Sequence, residues 1–98
     1  MTKADFAAQI DELLRKVDAI PYDDYSGGIA VVDEFERLAH EHSAYLNQHI
    51  TESVGSMRTD FGLMKKYKDS GKKYQHFNSA VSGLRQDVKG MRNNRYPV

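Results

Sequence analysis

Apolar residues recur three or four positions apart along nearly the whole chain, which is the spacing of one face of an α-helix. The first set is Phe6, Ile10, Leu13, Leu14, Val17 and Ile20. The second begins Ile29, Val32, Phe35, Ala39, His42, Leu46 and continues in phase as Ile50, Val54, Met57, Phe61, Met64. The last is the most regular: Tyr74, Phe77, Val81, Leu84, Val88 and Met91. Proline, which breaks a helix interior, occurs only at Pro21 and Pro97, outside all three sets. The pattern predicts an all-α fold in a single domain covering residues 1–98.

Boundaries follow from local chemistry. Thr2 followed by Asp5 resembles a capping box and starts a helix predicted over residues 3–20. Pro21-Tyr22-Asp23-Asp24-Tyr25-Ser26-Gly27-Gly28 is rich in Pro, Asp and Gly and is predicted as a loop over 21–28. The second stripe predicts one long helix over 29–68. Gly55 weakens it, so a break near 55 is the alternative, but the stripe keeps phase across the glycine. Asp69-Ser70-Gly71 is a turn, a helix over 72–92 follows, and 93–98 is a tail. The expectation is an antiparallel helical bundle or hairpin of three long helices, four if the chain breaks, with coiled-coil-like packing. A helix of 40 residues is about 60 Å long. Its shorter neighbours would cover one half each, leaving two-helix cross-sections that bury little. A chain of that shape is expected to be completed by a second copy or another helical protein.

Charge is distributed unevenly. Residues 1–49 hold ten carboxylates against four cations and residues 50–98 the reverse, so a net charge of zero conceals a −6/+6 division. The division is compatible with antiparallel self-association, with solvated faces, or with a basic half that binds phosphate. Five lysines, Lys65, Lys66, Lys68, Lys72 and Lys73, surround the predicted turn with Tyr67 and Tyr74 interleaved. Such a cluster suits a nucleic acid or an anionic surface.

Cofactor and catalytic chemistry find little support. The sequence has no Cys, which excludes disulfides, thiolate metal sites and a Cys nucleophile. Glu36 and His40 share a helix face but lack the further carboxylate and imidazole ligands of a bundle metal site. The serines occupy no nucleophile-elbow context, and Ser26-Gly27-Gly28 lacks the Lys of a phosphate loop. The sequence therefore points away from an enzyme, a metal and a cofactor. His42 and His49 fall on the apolar face seven residues apart and are candidates for a pH-sensitive contact. Gly83 and Gly90, also seven apart, suggest a close approach by another helix. Tyr22 and Tyr25 stand in the predicted loop, either anchoring a partner or covering the bundle end.

No apolar run approaches the ~20 residues that span a bilayer. The first residues, Met1 to Asp5, do not resemble a secretory signal, so a cytoplasmic protein is expected. In length and helical character the chain resembles the small helical partners of type VII secretion, the WXG100-type hairpins. The likeness is one of shape: with no Trp there is no Trp-x-Gly, Tyr-x-x-x-Asp/Glu is absent, and Ser26-Gly27-Gly28 comes too early for a symmetrical hairpin. Small bacteriocin-type immunity proteins are helical bundles of similar size. The function expected first is a non-catalytic protein–protein interaction module, a homo-oligomer or the partner of another helical protein. Its interface would be Tyr74, Phe77, Val81, Leu84, Val88 and Met91 with Gly83 and Gly90. The alternatives are a partner, chaperone or immunity protein of a toxin, and anion binding through Lys65–Lys73.

Overall fold

The computed structural model describes residues 3–41 and 48–92. Within them lie four helices: α1 (Lys3–Asp18), α2 (Tyr25–Glu41), α3 (Gln48–Lys66) and α4 (Ser70–Arg92). The fold is an all-α bundle, as the periodicity predicts. α1 lies beside α2, α2 beside α3, α3 beside α4, and α4 beside α1. Most of the described stripe residues turn inward. Ile10, Leu13 and Val17 from α1 meet Val32, Phe35 and Leu38 from α2, Ile50, Val54, Phe61 and Met64 from α3, and Leu84, Val88 and Met91 from α4. Burying one such side chain contributes about 1.5–3 kcal/mol, which makes this core the main source of stability.

The expected loop over 21–28 is shorter than its composition suggests. Ala19 and Ile20 close the last turn of α1, and Asp24 N–H donates to the Pro21 carbonyl at 3.2 Å. Asp23 sits in the left-handed region at φ 64°, which Asp tolerates better than most residues. Asp24 then caps α2, its carboxylate accepting the Gly27 N–H at 3.0 Å. Ser26, Gly27 and Gly28 therefore belong to the first turn of α2. Gly28 is there for space: a Cβ on it would fall 2.4 Å from the ring of Phe61 on α3.

The single helix expected over 29–68 is not what forms. Arg58 on α3 reaches Asp33 and Glu36 on α2 at 2.6 and 3.1 Å. In one straight helix, residues 33 and 58 would stand about 37 Å apart. α2 and α3 are thus separate antiparallel neighbours. The alternative break near 55 is also corrected, since α3 runs unbroken through Gly55. A continuous apolar phase is satisfied equally well by two helices that each turn the same kind of face inward.

The −6/+6 division is used inside the molecule. Asp11 and Asp18 on α1 pair with Arg92 and Arg85 on α4, both at 2.8 Å. Arg58 joins α3 to α2, and Lys73 on α4 pairs with Asp23 of the α1–α2 turn at 3.0 Å. Lys16 adds an α1–α2 pair with Glu34 at 3.0 Å. Two carboxylates hydrogen-bonded to Arg58 hold its guanidinium above the usual arginine range, Glu36 acting more strongly than Asp33.

Candidate functional site

Most of the expected seam is inside this chain. Val81, Leu84, Val88 and Met91 are buried in the core, Gly90 is buried with them, and Phe77 is packed partly against it. A helix offers its apolar stripe once, and the four-helix cross-section takes it. These residues are therefore not presented to a second molecule. Gly83 makes ordinary contact with Met57, 3.8 Å from where its Cβ would be, and positions 55 and 62 face open space. The close helix approach expected at Gly83 and Gly90 is only an ordinary contact at Gly83. His42 and the side chain of His49 lie outside the described residues.

Tyr74 is the member of the seam that stands out, 60 % exposed. It lies at the end of the bundle formed by the α1–α2 and α3–α4 turns. Tyr22 of the first turn is 48 % exposed, and the two rings are 6.2 Å apart. Among the described residues these are the two exposed large hydrophobic side chains, and they are neighbours. Tyr22 is held in place. Its hydroxyl donates to the Ser70 carbonyl at 3.2 Å, and its ring meets Phe77 edge-on at 5.5 Å. Sequence reasoning named both tyrosines but gave Tyr22 to a loop and Tyr74 to the helix-face seam. Only the bundle brings together residues so far apart in the chain.

The lysine cluster occupies the same end and divides into two kinds. Lys73 is structural. Its ammonium donates to Asp23 at 3.0 Å and to the Met64 carbonyl at 2.9 Å, one of the carbonyls left open at the end of α3. The other four project outward. Lys65 lies over the ring of Tyr25 at 4.8 Å, Lys72 over Tyr67 at 5.1 Å, and Lys66 and Lys68 are exposed. Among the described residues, none of these four has a carboxylate within ion-pairing distance. The nearby acids have other duties: Asp23 pairs with Lys73, Asp24 caps α2, and Asp69 caps α4 by accepting the Lys72 N–H at 2.9 Å. Tyr67, under Lys72, stacks in turn on His76 at 5.5 Å, and His76 Nδ1 is 3.0 Å from Asp60.

A second feature is an open groove of about 410 Å³ between α3 and α4, lined by Glu52, Ser56, Asp60, Ser79 and Asp87 among others. Asp60 is satisfied there by His76 and by Ser79, whose hydroxyl donates to it at 3.1 Å. Among the described residues no three His, Asp or Glu side chains converge as metal ligands, and no helix is long and apolar enough to cross a membrane. No protein-family model, curated protein or solved structure matches this chain.

Proposed function

We propose that this protein is a non-catalytic binding domain that engages a phosphate-bearing polyanion through the Lys65–Lys72 end of its bundle. The observation that carries the reading is a contrast in charge use. The Arg58, Arg85, Arg92 and Lys73 cations are tied to carboxylates across helices, while Lys65, Lys66, Lys68 and Lys72 stand together without one. Clustered cations without a carboxylate partner attract phosphates and release their counterions on contact. The helix-face interaction first expected is less well supported, because Val81, Leu84, Val88 and Met91 are buried within this chain.

The test is fluorescence anisotropy with labelled inorganic polyphosphate. Binding should weaken steeply with salt, about 50-fold between 50 and 200 mM if four phosphates are engaged on a flexible strand. The triple variant Lys66→Ala/Lys68→Ala/Lys72→Ala should lose most of the affinity and flatten the salt dependence. Lys89→Ala, an exposed lysine towards the opposite end of α4, should bind as the parent does. Equal binding by the triple variant and the parent would refute the reading.

A further inference from the structure

Phosphates alone would be served by the lysines, and the exposed tyrosine pair would then have no role. An exposed aromatic ring is poorly solvated, and Tyr22 and Tyr74 place two of them side by side on the cationic end. Tyr22 is anchored by its hydrogen bond to Ser70 and its edge contact with Phe77, so little freedom remains to be lost when a flat group settles beside it. Lysines that collect phosphates, close to aromatic faces that accept flat rings, are the two parts of a single-strand binding surface. A duplex hides its base faces in the stack and would leave the tyrosines idle.

We propose that the polyanion is a single-stranded nucleic acid, with a base stacked on Tyr74 beside Tyr22 and neighbouring phosphates on Lys65, Lys66, Lys68 and Lys72. This inference rests on the polyanion reading above and narrows it. Tyrosines also settle at the headgroup level of membranes, so an anionic vesicle is the competing source of phosphate to be tested.

The experiment compares four probes at one low salt concentration: labelled oligothymidylate, a duplex of equal length, polyphosphate, and vesicles containing anionic phospholipid. Oligothymidylate should bind best. Tyr74→Ala should weaken it about tenfold, the effect of losing one base–aromatic stack, while leaving polyphosphate binding unchanged. Tyr74→Phe, which keeps the ring, should bind as the parent does. Tyr74→Leu, which keeps bulk without a π face, should behave like the alanine variant and guards against an alanine variant that fails to fold. Oligothymidylate binding indifferent to Tyr74→Ala and Tyr74→Leu, or a duplex or vesicle bound as tightly, would overturn the inference while the lysine reading stood. Failure of every probe to bind would overturn both.

Discussion

Lys73 and its neighbours Lys66 and Lys68 are the same residue type within one cluster, yet the structure gives them opposite sensitivities. The Lys73 side chain is only 19 % exposed and bridges Asp23 to the end of α3. Lys73→Ala would leave the Met64 carbonyl without its donor and Asp23 without its partner, a loss of about 1–2 kcal/mol. Lys66→Ala and Lys68→Ala should shift stability by no more than about 0.5 kcal/mol, as surface changes do. Urea unfolding of the three variants checks this, and equal midpoints would show that Lys73 does not clip the two turns together. Gly28 sets a similar test for space. Gly28→Ala drives a methyl group into the Phe61 ring and should cost about 1–3 kcal/mol. Two side chains bear on how stability depends on pH. Arg15 holds the Glu12 carboxyl below the usual range by hydrogen bond and charge. A carboxyl lowered on folding stabilises above its unfolded value, and that contribution is lost as the pH falls through the lowered one. Glu12 is fully exposed, so solvent weakens the effect. Arg58 is raised, so its contribution is present throughout the neutral range and lost only in strong alkali.

At the scale of the element, α3 passes through Gly55 on packing alone. The core residues Val54 and Met57 flank it, while position 55 itself meets open space. Gly55→Ala should therefore stabilise the protein by about 0.5–1 kcal/mol, through the helix propensity that glycine lacks. An unchanged or lowered thermal midpoint would mean that the glycine serves something outside the chain. The inward faces of all the helices were legible, because burial imposes a period that the residues display. The start of α2 was not, since Ser26, Gly27 and Gly28 carry loop composition and their helical role depends on Asp24 as a cap and Phe61 as a neighbour. Nor was the separation of α2 from α3, because an apolar phase counts residues and does not record a change of direction. The candidate site was half legible for the same reason. A run of lysines is local and can be read, whereas the division into one clip and four cations with no carboxylate partner among the described residues, and the meeting of Tyr22 with Tyr74, exist only after the helices pack.

For the whole molecule, the same reasoning bears on its state of association. A homo-oligomer was expected because a three-helix arrangement with one very long helix would leave each half under-buried. The observed cross-section holds four helices, and Phe35, Phe61, Leu13 and Leu84 are fully buried within the one chain. The charge division that would have oriented an antiparallel partner instead joins α1 to α4 and α2 to α3 within one chain. Both reasons for self-association are thus met internally, and the four unpaired lysines repel one another in any arrangement that brings two such ends together. Light scattering should give a mass near 11.2 kDa. That mass should persist on raising the salt, because screening weakens surface pairs worth no more than about 1 kcal/mol each and leaves the apolar core intact. A dimer at low salt that dissociates as salt is raised would place the complementary charges between chains. A dimer indifferent to salt would mean that two chains meet through apolar surface.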